Sequence, residues 1–89
     1  MDSLVVMFFK KKSYHVQLKN VRSAIVYAEG DRRMEIDSEP ASEEYDVIVY
    51  VRTMRWMPPH ESEAVSSEDR IRIQKNIASE LDTYRILWR

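Results

Sequence analysis

The sequence predicts an α+β domain with a mainly antiparallel sheet of about five strands and one C-terminal amphipathic helix packed on one face. Three observations lead to this prediction: a hairpin around the chain's only glycine, a long β-prone run that is apolar on both sides, and a later segment with apolar residues at helical spacing. We expect the 89 residues to form one domain, residues 1–89, near the lower end of what folds unaided.

Two strands are predicted before the hairpin. The run LVVMFF, Leu4 to Phe9, is continuously apolar, which is typical of a strand covered on both faces. It is shorter than the roughly 7–15 apolar residues of a signal peptide or the roughly 20 of a membrane span, so we expect no membrane association. The next stretch, SYHVQLKN, alternates, with Tyr14, Val16 and Leu18 on one side, and this pattern predicts a half-buried strand.

The hairpin is the clearest local signal in the sequence. Two strand-like runs, SAIVYAE and RRMEID, flank Gly30-Asp31, and glycine supplies the positive φ that tight hairpin turns require. In the second run Met34 and Ile36 fall on one side. Residues 38–44, SEPASEE, are polar and contain a proline, so they are interpreted as a loop.

A single long strand is predicted over YDVIVYVRTMRW, residues 45–56. Its alternate positions are apolar on both sides, which favours a place in the middle of the sheet. Pro58 and Pro59 must end it, because proline cannot donate to a strand ladder. One helix can cover only one face of a sheet, so this strand also predicts a homodimer or an obligate partner.

The helix is predicted to begin at Ser66 or Ser67, and Ser66 with Asp69 has the form of a capping box. The buried face is formed by residues that recur at helical spacing, with Ile71 and Ala78 flanking them: Ile73, Ile77, Leu81 and Tyr84. The pattern fails after Leu81, so we expect the helix to end near Asp82 or Thr83. Residues 84–89 are interpreted as leaving the helix, with a short last strand as one option and continued helix as the other.

Arg70 falls inside the apolar arc of this predicted helix, in the first turn, where a cation is disfavoured. Either its aliphatic stem lies over the sheet edge, or its guanidinium pairs with an acid of the sheet, for which Asp46 and Glu39 are candidates. The structural pair is the favoured interpretation.

Composition argues against an enzyme, a cofactor and a metal site. The chain has no cysteine, two histidines and one glycine, too few residues for a nucleophile with its base, a zinc site or a phosphate loop. A small chain without disulfides is more typical of the cytoplasm.

Lys10 to Lys12 and Arg32-Arg33 lie near aromatic residues, as in some nucleic-acid-binding proteins. Neighbouring acids and a net charge of −1 argue against this alternative.

The segment RWMPPHESEAV, residues 55–65, admits two interpretations. It can be a connector, in which Trp56 is the last inward residue of a strand and Pro58-Pro59 stiffen the exit. It can also be a contact site, because a rigid tryptophan beside a polar loop is typical of binding hot spots. The connector is slightly favoured, although it leaves His60, Glu61 and Glu63 unexplained.

Three segments in this order resemble the immunity protein 74 family of bacterial polymorphic toxin systems: IVYAEGDRRMEIDSE, VIVYVRTMRWMPPH and VSSEDRIRIQKNI. The resemblance covers roughly residues 21–82, and the W-x-P-P element, matched by Trp56, Pro58 and Pro59, carries most of it. The sequence departs from the family pattern at Met57, where an acid usually follows the tryptophan, and residues 4–12 lie outside the match.

The resemblance implies a small cytoplasmic protein that binds a cognate toxin and blocks it, without catalytic residues. When the toxin attacks nucleic acid, such inhibitors commonly present acidic surfaces with aromatic residues, because the site of the toxin is basic. The expected partner-binding residues are Glu39, Glu43, Glu44, Tyr45, Trp56, His60, Glu61 and Glu63. A self-associating module and a nucleic-acid-binding regulator are kept as alternatives.

Overall fold

Five strands and one helix follow one another in a computed structural model of the chain, which describes residues 13–19 and 22–89. The elements are β1 (Tyr14–Lys19), β2 (Ala24–Glu29), β3 (Arg32–Pro40), β4 (Val47–Val49), a 3-10 turn (Val51–Thr53), α1 (Ser67–Glu80) and β5 (Ile86–Trp88). The sheet order is β1-β2-β3-β4-β5, so strands that are consecutive in sequence are also neighbours in space. The α+β class is confirmed, whereas the strand predicted over Leu4 to Phe9 lies outside the described residues.

The β2–β3 hairpin turns at Gly30-Asp31 as predicted, and Gly30 has φ +61°. Because the strand period is two, one side of the hairpin faces the core and the other faces solvent. Tyr27, Met34 and Ile36 are fully buried, whereas Arg33 and Glu35 are exposed. The loop predicted over residues 38–44 is corrected, since β3 continues to Pro40 and pairs with β4.

The predicted long strand over residues 45–56 is wrong, because the chain leaves the sheet after Val49 and makes the 3-10 turn. Thr53 holds this turn against β3: its hydroxyl accepts a hydrogen bond from the Asp37 amide at 2.9 Å and donates one to the Tyr50 carbonyl at 2.7 Å. In one continuous strand, Val49 and Trp56 would point to opposite faces. The turn changes the phase, so both are buried in the same core.

α1 begins at Ser66 with the predicted capping box, in which Ser66 and Asp69 exchange side-chain to backbone hydrogen bonds of 3.0 Å. The helix ends at Glu80, and β5 then pairs with β4 in parallel. Parallel neighbours need a long crossover, and α1 supplies it. The short last strand is therefore real, and the mainly antiparallel sheet contains one parallel pair.

α1 packs on one face of the sheet through Ile73 and Ile77, which are both fully buried. Each contributes about 1.5–3 kcal/mol by leaving water. The predicted flanking residues Ile71 and Ala78 are exposed instead. We call the side of the sheet opposite α1 the open face.

Arg70 does not form the predicted pair with an acid of the sheet. Asp46 instead accepts hydrogen bonds from the backbone amide and the guanidinium of Arg85, and Glu39 accepts one from the Tyr50 hydroxyl. Arg70 is half-buried in the first turn of α1. This partial burial agrees with the alternative interpretation, in which its aliphatic stem lies over the sheet edge.

The sheet is fastened to α1 by a polar network around Tyr27. The Tyr27 hydroxyl donates to Glu29 at 2.8 Å and accepts from the Asn76 amide at 2.9 Å. Arg72 binds both carboxylate oxygens of Glu29 at 2.8 and 2.9 Å and also contacts Asp69. Burial raises the pKa of Tyr27 to about 12, and the hydrogen bond from Arg72 lowers the pKa of Glu29.

Candidate protein-binding surface

The acidic residues predicted to contact a partner fall into two groups at opposite ends of β3. Glu63 lies at the beginning of β3, where its carboxylate is 2.7 Å from the Arg32 guanidinium. Glu39 lies near the end of the same strand, and seven residues of strand correspond to about 23 Å. The acidic surface expected from the sequence is therefore divided along the strand.

Trp56 belongs to the core rather than to either group. Its side chain is only 3% exposed, it forms an isolated bridge with Met34, and the Arg32 guanidinium lies 5.8 Å from its ring centre. Its ring therefore belongs to the core and offers a partner almost no surface, and its role as an anchor stays a prediction. The connector interpretation describes its position.

The loop after Trp56 is fixed to the β2–β3 hairpin by several polar contacts. The Met57 amide donates to the Arg33 carbonyl at 2.7 Å, and a cis Pro58-Pro59 bond follows. His60 lies between Glu63, at 2.8 Å, and Asp31, at 3.6 Å. His60 and Glu63 are thus engaged within the molecule, whereas Glu61 projects into solvent.

The open face carries long polar side chains on β1 and β3 with small residues between them on β2. The register places Gln17, Val26 and Glu35 in one row across the three strands. Lys19 reaches over β2 to Glu35, with 2.9 Å between nitrogen and oxygen. Because Val26 is shorter than its neighbours, shallow depressions form along β2.

Two depressions of the surface adjoin at Met57. One, of about 310 Å³, is lined by residues of β1, β2 and β3 together with Met57. The other, of about 290 Å³, lies between β3 and the loop, and its lining includes Asp37, Arg55, Met57 and Glu61. Met57 is 39% exposed, and the only other large apolar side chain exposed to this degree among residues 13–19 and 22–89 is Ile71 on α1.

Charged side chains surround Met57 without forming ion pairs to other described residues. They are Arg33, Asp37, Arg55 and Glu61, and we call these four residues with Met57 the Met57 patch. No pattern in the sequence predicted a partner contact at Met57, Asp37 or Arg55. The sequence contained one indication that Met57 is unusual, because this position usually carries an acid in the family that the sequence resembles.

The second group, at the far end of β3, consists of Glu39, Glu43 and Glu44, and we call it the far acidic group. All three side chains are exposed, and Tyr45 beside them is half-buried. Glu43 has φ +68°, so the loop turns sharply there. Next to the group, the hydrogen bond from Arg85 lowers the pKa of Asp46 and keeps this carboxylate charged.

The described part of the chain contains no group of three or more histidine, aspartate or glutamate side chains placed to hold a metal ion. No helix in residues 13–19 and 22–89 has the length and apolar character needed to cross a bilayer. The most distinctive features of the described residues lie at the surface: an exposed apolar side chain among charges that form no ion pair with another described residue, and a separate acidic group.

A small α+β fold with a five-stranded sheet, shallow depressions and an exposed apolar residue among charges has features that protein-binding modules share. Residues 17–86 match the model of the Immunity protein 74 family, and the chain belongs to that family. No curated protein and no solved structure matches the chain. The membership confirms the resemblance and carries with it a general role in toxin immunity.

Proposed function

We propose that this protein binds a cognate protein toxin and neutralises it by occlusion, without catalysing a reaction, and that the Met57 patch is the centre of the contact. Family membership supports the toxin-neutralising role. The observation that supports this particular surface is Met57, an exposed apolar side chain where two depressions of the open face adjoin.

The Met57 patch has the composition of a small interface. Binding sites commonly combine an apolar centre with a polar rim that excludes water from it. Here Asp37, Arg55 and Glu61 form such a rim and have no ion pair with another described residue to lose when a partner binds. Strand β3 and the hydrogen bond from Met57 to Arg33 hold the backbone in place, which lowers the entropy lost on binding.

The far acidic group belongs to the same proposed interface. A partner that covers about 800 Å² on each side spans about 30 Å, which exceeds the separation of about 23 Å along β3. Glu39 points outward from β3, and Glu43 and Glu44 are exposed. Three acids at one rim would complement a basic region of the toxin and accelerate association.

The decisive experiment is co-expression with the gene immediately upstream in the native locus, followed by a growth assay and a tagged pull-down. We expect the upstream product to be toxic alone, harmless in the presence of this protein, and to co-purify with it. If it is not toxic and nothing co-purifies, the proposed function is incorrect for this pair of genes.

A matched pair of substitutions then tests the surface. Met57→Glu places a charge at the centre of the Met57 patch and is expected to weaken toxin binding about 30-fold or more, the effect of a hot-spot loss of about 2 kcal/mol. Ile71→Glu makes the same change at the other exposed apolar side chain, on α1, and should leave binding unchanged. Equal effects of the two variants would argue against the open face as the interface.

The far acidic group is tested by reversing its charges. Glu43→Lys with Glu44→Lys is expected to slow association and to reduce its dependence on salt, because exposed rim charges act mainly on the association rate. Since both side chains are exposed, the thermal midpoint should hardly change. An unchanged association rate would place the interface elsewhere.

Self-association through the open face is a second proposal, supported by the half-buried Ile48 and Leu87, which lie opposite one another in the β4–β5 register. Light scattering over a range of micromolar concentrations should then detect a dimer, and a strict monomer would remove this proposal.

Nucleic-acid binding is expected to be absent, and fractionation is expected to find the protein in the cytoplasm. Oligonucleotide binding that weakens with salt would favour the regulator alternative.

A further inference from the structure

The three methionines among the described residues differ sharply in their access to solvent. Met34 is fully buried and Met54 is 3% exposed, whereas Met57 is 39% exposed. Trp56, a second kind of oxidisable side chain, lies beside Met57 in the chain and is 3% exposed. A dissolved oxidant must touch the sulfur atom to react with it, so Met57 is the described methionine that such a reagent reaches.

The space around Met57 admits a small oxidant. The two depressions that adjoin at its side chain have volumes of about 310 and 290 Å³, many times the roughly 30 Å³ that a water molecule occupies in the liquid. Hydrogen peroxide is little larger than water. The rim of the depressions carries the charged side chains of Asp37, Arg55 and Glu61, so the space beside Met57 is wet rather than sealed by apolar contacts.

Oxidation changes the chemistry of this side chain without disturbing the backbone that carries it. The sulfur lone pair attacks one oxygen of the peroxide, the O–O bond breaks, an S–O bond forms and water leaves. The sulfur loses two electrons and the peroxide gains them, and the flexible apolar side chain becomes a polar one. At an exposed position water solvates the new oxygen, while the Met57 amide keeps its hydrogen bond of 2.7 Å to the Arg33 carbonyl.

We propose that Met57 is a reversible oxidation site, at which a peroxide converts the thioether to a sulfoxide and so removes the apolar centre of the Met57 patch. The expected weakening of the toxin contact rests on the proposed function, whereas the reaction at Met57 is a property of the chain alone. Methionine sulfoxide reductases reverse the modification, with one enzyme for each of the two sulfoxide epimers. The exposure that admits the oxidant also gives these enzymes access.

Peptide mass spectrometry after timed exposure of the folded protein to hydrogen peroxide measures the selectivity. We expect Met57 to react about tenfold faster than Met54, in proportion to their exposed fractions of 39% and 3%, and Met34 to react more slowly still. In urea, where all three side chains are exposed, the three rates should become equal. Equal rates in the folded protein, or loss of its circular dichroism spectrum when Met57 is oxidised, would overturn the proposal.

Binding to the upstream product measures the consequence of the modification. The oxidised protein should bind about tenfold more weakly, because a polar oxygen loses its hydration where the partner offers an apolar contact. Treatment with both reductases should restore the affinity. Peroxide should not change the affinity that Met57→Leu has before treatment. The matched control combines Met57→Leu with Ile71→Met, which places an exposed methionine on α1, and peroxide should not change its affinity either.

The outcomes distinguish this proposal from the proposed function. An upstream product that does not bind even the untreated protein contradicts the proposed function, and the mass spectra then still decide whether Met57 is the oxidation site. Binding that peroxide does not affect, or a peroxide response that persists in Met57→Leu, would overturn the proposed effect of the modification. A response that appears only when Ile71→Met is added would place the contact on α1 instead of the Met57 patch.

Discussion

Tyr27 is the one fully buried tyrosine among the described residues. Removal of its hydroxyl group is the sharpest test of how the sheet holds the helix. Tyr27→Phe deletes one oxygen and preserves the ring. The oxygen donates to the Glu29 carboxylate and accepts from Asn76 of α1. The variant therefore removes the central atom of the network that fastens β2 to α1.

The expected loss of stability is about 2 kcal/mol. A hydrogen bond to a charged group contributes about 1.5–3 kcal/mol and a neutral one about 1 kcal/mol. The loss is smaller than their sum, because Arg72 still binds Glu29 and the Glu29 side chain is 21% exposed, so water can replace part of the lost contact. In a domain of this size, 2 kcal/mol lowers the thermal midpoint by about 8–16 °C.

Urea denaturation followed by circular dichroism measures this loss, with the m-value as a check that the unfolding transition is unchanged. Tyr14→Phe is the matched control: Tyr14 stacks on Tyr27 at 6.2 Å, and its hydroxyl has no hydrogen bond to a described residue. The control should cost less than about 0.5 kcal/mol. A loss of that small size in Tyr27→Phe, or equal losses in both variants, would refute the reasoning.

Ionisation of the same hydroxyl group makes the stability of the fold depend on pH in the alkaline range. The folded state raises the pKa of Tyr27 from 10.0 to about 12, so the neutral phenol stabilises the fold fully below pH 10. This contribution is lost as the pH rises towards 12, because the unfolded chain ionises first. The stability difference between wild type and Tyr27→Phe should therefore shrink over this range, and a constant difference would contradict the assignment.

Three further predictions concern the helix cap, the hairpin turn and acid stability. Ser66→Ala should lower the free energy of unfolding by about 1 kcal/mol through loss of the capping box, whereas Ser62→Ala should not change it measurably in the same urea titration. Gly30→Ala should cost about 1–2 kcal/mol in thermal unfolding, from its φ of +61° alone, because an added Cβ meets nothing within 4 Å. Glu29 has a lowered pKa, so its contribution is complete above the ordinary value of 4.5 and is lost as the pH falls through the lower folded value. Stability measured between pH 7 and 3 should therefore fall less steeply in Arg72→Met than in the wild type.

Local chemistry predicted most of the elements. Gly30-Asp31 marked the hairpin, alternation marked β1, and Ser66 with Asp69 marked the first turn of α1, since each signal acts within a few residues. The boundaries of β4 were missed because a 3-10 turn leaves no strong composition signal. Val51 and Thr53 are β-prone residues, and only the hydrogen bond between Thr53 and β3 shows that the strand has ended.

The candidate surface was predicted less well, because accessibility depends on the whole core. Trp56 and Met57 are adjacent apolar residues, and no local signal says which of them is exposed. The phase change at the 3-10 turn buries the tryptophan and exposes the methionine. The acids were correctly expected to be exposed, but their division along β3 required the strand's length and direction.

The sequence by itself determined the class of fold, the hairpin, the helix cap and the family, because these depend on periodicity, turn chemistry and short motifs. Only the tertiary structure decided that β5 lies parallel to β4, that Arg72 pairs with Glu29 across 43 positions, and that His60 lies between Asp31 and Glu63. These are contacts between segments far apart in the chain, and they form only when the core brings those segments together.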